Sequence, residues 1–137
     1  MTAVFELRHL VQPDEMDDMG HVNNLVYLKW LQSAAWKHSV ARGWGMPNYR
    51  EIDAGWVVRR HEIEYLRPAF AGDEVLIRTW IADMKKSSSL RRYEIVRPVD
   101  ETRLVVASTN WAFISFSTQR LTRIPPAVIE SFEVVPD

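Results

Sequence analysis

The segment from about Asn24 to Arg42 constrains this chain most. Leu25, Leu28, Leu31 and Ala35 recur at helical spacing, and so do Ala34, His38 and Ala41, which predicts one long α-helix. Gly43 and Gly45 stop it, and Pro47 reinforces the stop. Val26, Tyr27, Trp30 and Trp36 fall on its other faces. A helix that is apolar nearly all round is enclosed by other structure, so the rest of the chain has to supply the enclosure.

The rest reads as strands. Residues 4–11 alternate, with Phe5, Leu7, His9 and Val11 on one face and Glu6 and Arg8 on the other, and Pro13 ends the run. Period-two patterns return over 57–66, 74–83, 89–97 and 103–116, the last rich in β-branched and aromatic residues and therefore expected near the centre of a sheet. The turns Ala71-Gly72-Asp73 and Pro98-Val99-Asp100-Glu101 are short. Short connections favour antiparallel neighbours. The expected class is α+β, an antiparallel sheet of about five strands curled around one long central helix. A short helix is expected in the tail, with Pro126 near its start. Trp80, Trp111 and Phe113 present more aromatic surface than one helix covers, which points to a second chain against the sheet.

The 137 residues fit a single domain spanning 1–137. A chain of this length buries roughly 68–70% of its unfolded surface, enough for a core without staples. There are no cysteines, which removes disulfides, thiolate metal sites and cysteine nucleophiles. The net charge of −1 argues against broad nucleic-acid binding. No apolar run is long enough to span a membrane, and the start of the chain does not read as a signal peptide, so a cytoplasmic protein is expected.

The polar cluster Met16-Asp17-Asp18-Met19-Gly20-His21-Val22-Asn23-Asn24 stands directly before the helix. Taken singly, its acids suit a solvated loop, its asparagines an N-cap and Gly20 a turn. Calcium does not fit: aligning Gly20 with an EF-hand glycine puts Met19 at a ligand position and Val26 where the bidentate Glu belongs. His9, His21, His38 and His61 show no zinc spacing, so no metal is expected, and there is no GxSxG and no phosphate-binding glycine loop. What the order does offer is a carboxylate next to the free N–H groups of a helix start, an arrangement able to polarise a carbonyl and deliver a base or nucleophile to it. That is the geometry of acyl transfer.

The order Glu15-x-Asp17-x-x-Gly20-His21-Val22-Asn23-Asn24, followed by Tyr27-Leu28, resembles the hotdog-fold thioesterases of the 4-hydroxybenzoyl-CoA thioesterase type. The strand–helix–four-strand order, SSSLRRYEI in a later strand and TRIP near the end agree, so the resemblance covers nearly the whole chain. It implies hydrolysis of an acyl-CoA thioester by a homodimer or homotetramer without a cofactor, coenzyme A entering only as part of the substrate. By position, Asp17 matches the catalytic carboxylate, as nucleophile or general base. Asn24 matches the helix-terminal N–H that polarises the thioester carbonyl, Gly20 permits close approach, and His21 and Asn23 shape the turn. Some relatives carry the working acid on the helix. Here no Asp or Glu occurs between Asp18 and Glu51, and Gln32, Ser33 and Ala35 replace the polar residues of those relatives, which favours Asp17. The like charges of Glu15 and Asp18 near Asp17 are expected to raise the pKa of one of the three.

For the substrate, Lys85, Lys86, Ser87, Ser88 and Ser89 with Arg91 and Arg92 form a candidate phosphate-binding patch, with Arg59, Arg60 and Arg123 as weaker candidates. Tyr27, Leu28 and Leu31 are candidates for the acyl pocket. Acyl carrier protein is an alternative carrier to coenzyme A. Two other functions suit such a chain: hydration or dehydration of an enoyl thioester through an Asp17–His21 pair, or a non-catalytic acyl-carrier-binding module.

Overall fold

The computed structural model describes residues 3–137. Strand β1 (Phe5–Leu10) leads through one 3₁₀ turn (Pro13–Glu15) and the polar loop into helix α1 (Asn24–Ala41). A short helix α2 (Met46–Glu51) follows, then β2 (Ala54–Tyr65), β3 (Glu74–Met84), β4 (Ser88–Arg97), β5 (Thr102–Ser115) and a terminal helix α3 (Pro126–Glu130). The five strands form one antiparallel sheet in the order β1-β3-β4-β5-β2. The middle strand is β4, and β5 is interior between β4 and β2. β1 and β2 are the edges.

The sheet and α1 enclose the main core. Tyr27, Trp30, Leu31 and Ala34 of the helix meet Val75, Ile77, Tyr93, Ile95 and Val105 of the strands, all buried. A second cluster, not foreseen in the sequence, joins Phe113 to Tyr49 of α2 and to Ile124, Val128 and Phe132 of the C-terminal segment. Phe113 is therefore covered within its own chain, while Trp80 and Trp111 are half-buried.

Three expectations need correction. α1 is not enclosed all round: Leu25 is 69% exposed, and Trp36 and Val40 are also open, because one sheet covers only one side of a cylinder. Pro47, read in the sequence only as reinforcing the stop of the long helix, opens a further helix over 46–51, since it sits in the first turn, where a missing N–H costs nothing. β2 begins at Ala54, three residues before its alternating pattern, and carries a bulge between Val58 and Arg60. Gly55 sits in that early part because a Cβ there would lie 2.6 Å from the Phe116 ring.

Candidate active site

The polar loop is a closed turn. Met16 and Val22 form an antiparallel bridge, the Asp17 N–H donates to the His21 carbonyl (2.6 Å), and the Gly20 N–H donates to the Asp17 carbonyl (3.1 Å). Asp at the first position and a glycine with φ of 80° at the fourth are what this turn and its bulge require. The Asp17 side chain is held by the same backbone: Oδ1 accepts the N–H of Met19 (2.9 Å) and of His21 (3.1 Å). Oδ2 has no hydrogen bond among the described residues. One oxygen fixes the carboxylate and the other is left unengaged among the described residues.

Glu15 fastens the turn to the core. Its Oε1 accepts from the Gln12 N–H and from His9 Nε2 (both 2.8 Å), and its Oε2 accepts from the indole N–H of Trp30 in α1 (2.9 Å). Its carbonyl takes the Asn23 N–H (2.9 Å). Burial pushes the Glu15 pKa up, but the bonds from Gln12, His9 and Trp30 outweigh it and hold the carboxyl below its ordinary value. The expected rise from like charges therefore does not occur at Glu15. Its carboxylate is met by donors instead.

The helix start completes the site. Asn23 is the N-cap, its Oδ1 accepting from the Leu25 N–H (2.9 Å), while the Val26 N–H bonds the Asn23 carbonyl. The Asn24 N–H meets no acceptor among the described residues, and Asn24 is exposed. The Met16–Val22 bridge and the Glu15–Asn23 bond bring the Asp17 turn and this N–H to the same corner of the fold. The His21 ring packs edge-on to Phe70 (5.6 Å between centroids) and is exposed; its backbone, not its ring, holds Asp17. Tyr27 is buried, its hydroxyl accepting the N–H of Ala69 (3.0 Å), so it is a core strut rather than an open pocket wall.

The basic patch does not survive as drawn. Lys85 and Lys86 are exposed on the β3–β4 hairpin and Ser87 and Ser88 are half-buried. Strand alternation turns Arg91 inward, where it is 6% exposed, and sends Arg92 to the other face, where it pairs with Asp137. Arg91 cannot share a surface phosphate with Lys85 and Lys86. It lines a cavity of about 280 Å³ with Ser39, Tyr49, Trp56, Trp111 and Phe132, between the C-terminal half of α1 and the sheet. Leu28 and Leu31 do not line it. Polar groups on its wall are mostly satisfied: Trp56 Nε1 donates to the Tyr49 hydroxyl (3.0 Å), and Ser39 donates to the Trp44 carbonyl (2.7 Å). Burial draws the Arg91 pKa down to about 10, with Tyr93 and Tyr49 opposing. Burial, then the charges of Arg91 and Arg42, lower His38 to about 3.

The sequence pattern marked the turn but missed the cavity. Phe132 lies far along the chain from Tyr49 and Trp56, and the second core cluster brings it to them. The role of Glu15 was likewise hidden, since its partners His9 and Trp30 come from two other elements. The inward turn of Arg91 had one sequence signal: it alternates with Tyr93 and Ile95, both core residues of β4.

A sheet wrapped on one side of a long helix, with a carboxylate turn at the start of that helix, defines a hotdog fold of the thioesterase kind. A family model described as the thioesterase-like superfamily matches residues 11–132, and the chain belongs to that superfamily. Among solved structures, the fold is shared with the 1,4-dihydroxy-2-naphthoyl-CoA thioesterase of Synechocystis (TM-score 0.86, 19% identity, 93% of this chain and 94% of that one). It is shared too with a Staphylococcus aureus protein solved in complex with CoA (TM-score 0.88, 14% identity, 93% and 80%). In sequence, the chain is 31% identical over 90 residues to a chloroplastic acyl-acyl-carrier-protein hydrolase of Cuphea viscosissima; the match spans 66% of this chain and 21% of that protein. Among the described residues no helix is long and apolar enough to cross a membrane.

Proposed function

We propose that the chain hydrolyses an acyl thioester at the Asp17 turn. The observation that carries this is the division of labour at Asp17: Oδ1 is fixed by two N–H groups, Oδ2 is free, and an unpaired helix N–H stands at the same corner. The Asn24 N–H polarises the thioester carbonyl and holds the oxyanion as it forms. Oδ2 then acts in one of two ways. As a base it takes a proton from a water that attacks the carbonyl carbon, and the collapse of the tetrahedral intermediate expels the thiolate, which recovers that proton. As a nucleophile it attacks the carbon itself, and collapse of the tetrahedral intermediate breaks the C–S bond and expels the thiolate. Water then cleaves the mixed anhydride to free acid and the Asp17 carboxylate, the proton released passing to the thiolate. Both need the same placement of Asp17.

Coenzyme A is the proposed carrier, with the exposed Lys85 and Lys86 meeting its phosphates. The relative that acts on an acyl carrier protein favours that carrier as the second reading. The cavity beside α1 is the proposed acyl pocket. Within one chain it is remote from the turn, since Gln32 and Ser39 on its wall lie roughly 12 and 22 Å along the helix from Asn24. A second copy closes the distance. β2 is an edge strand with Val57 and Val58 exposed, its first residues line the cavity, and its last, Tyr65, donates to the Asn24 carbonyl (3.2 Å). Antiparallel pairing of two β2 edges sets the turn of each copy beside the cavity of the other, so the active form is a homodimer, or a tetramer built from such dimers.

The test is Asp17→Asn. An Asn oxygen still accepts the N–H groups of Met19 and His21, so the turn is kept while basicity and charge are lost. Thiol release from a panel of acyl-CoAs should fall at least ~10²-fold. Equal rates in variant and parent would reject the assignment.

A further inference from the structure

Hydrolysis alone makes no use of the charge at the bottom of the cavity. Arg91 Nη1 donates to His38 Nδ1 (3.0 Å) and Thr79 Oγ1 (2.9 Å), both neutral acceptors. Among the described residues, Arg91 Nε and Nη2 meet no acceptor, and no carboxylate pairs with Arg91. Its neighbours differ. Arg78 pairs with Glu6 and Glu94, Arg92 with Asp137, and Arg97 with Asp73 and Asp100. His38 shares the position of Arg91: with Nδ1 accepting, Nε2 carries the proton, and it too has no partner. A guanidinium 6% exposed that lines an aromatic-walled cavity without a counter-ion is costly, and the cost falls when an anion arrives.

The geometry points to Arg91 as the receptor for a carboxylate that enters with the ligand: the cavity takes an acyl group that is apolar along its length and carries a carboxylate at the end remote from the thioester. This deepens the proposed function and rests on the cavity being the acyl pocket. The size agrees. At about 280 Å³ the cavity is nearly twice the ~150 Å³ that admits benzene, room for a ring or a short chain with its terminal carboxylate. The planar fork of the guanidinium suits two carboxylate oxygens. A free fatty acid offers the same group with its chain reversed, and the experiment separates the two.

Binding of suberoyl-CoA and octanoyl-CoA, which differ in the terminal carboxylate, is followed by the fluorescence of Trp56 and Trp111 on the cavity wall. The inactive Asp17→Asn protein serves as host, and kcat/KM for both esters is measured on the parent. Suberoyl-CoA should bind and react better by at least about tenfold, the factor a charge-assisted pair of hydrogen bonds supplies. Arg91→Gln should erase the preference and Arg91→Lys should keep part of it. Equal affinities for the two esters in the protein with Arg91 intact would overturn the proposal, and this comparison needs no Arg91 variant to fold. Arg91-dependent binding of free octanoate without a suberoyl preference would overturn it in favour of a free acid. Discrimination in binding with no turnover of either ester would support it and reject hydrolysis instead.

Discussion

Replacing Glu15 by Gln tests whether the Asp17 turn is held to the core by one carboxylate. Three donors converge on Glu15: Gln12 N–H and His9 Nε2 on one oxygen, Trp30 Nε1 on the other. A glutamine has one acceptor where glutamate has two, so either the Trp30 indole or the Gln12–His9 pair must face an NH₂ group. Trp30 is 6% exposed and has no water to fall back on. Hydrogen bonds to a charged group contribute about 1.5–3 kcal/mol each, so the loss of one, with a donor left unpaired, predicts a destabilisation of about 2–3 kcal/mol at neutral pH. That lowers Tm by roughly 5–15 °C for a domain of this size. The pH dependence sharpens the test. The folded-state pKa of Glu15 lies below 4.5, so its contribution is fully present above 4.5 and is lost as pH falls through the folded value. Urea unfolding of parent and variant at neutral pH and at successively lower pH should show a gap that closes below 4.5. A gap under about 0.5 kcal/mol at neutral pH, or one of constant size down to acid pH, would refute the anchoring role.

Tyr27→Phe leaves the fully buried Ala69 N–H without its acceptor. It should cost about 1–3 kcal/mol in urea unfolding, and KM for an acyl-CoA should not change. Gly20→Ala meets no atom within 4 Å, so only the positive φ of 80° opposes it. The expected loss is about 1–2 kcal/mol by thermal melting, and Gly20→Asn, which tolerates that conformation, should recover most of it.

Long, strongly periodic segments were legible in the sequence. The helix from Asn24, the succession of strands along the chain and the turn at Gly20 follow from local spacing and turn chemistry, whereas the sheet order does not, since the short β2–β3 connection joins strands that are not neighbours. The placement of Asp17 beside a helix start was legible for the same reason, because both lie within eight consecutive residues, Asp17 to Asn24. What local pattern could not show depends on elements distant in the chain. α2 is a six-residue helix, too short for a periodicity to emerge. The cavity needs Trp56, Arg91 and Phe132 from three places, and the exposed side of α1 depends on how much of a helix one sheet can cover. Arg91 shows the limit well. Runs of basic residues read as solvated surface, yet alternation along β4 drives Arg91 of the adjacent Arg91–Arg92 pair inward.

The separation between the Asp17 turn and the cavity has an evolutionary consequence. The turn is locked in length: one inserted residue would swing the carboxylate to the opposite side of the chain and break the Met16–Val22 closure. The walls around Trp56 and Arg91 obey no such rule and can drift one side chain at a time. A lineage built on this plan can exchange diets while keeping its cutting edge, and descendants with unlike substrates should differ mostly along the far half of the helix and the first residues of β2.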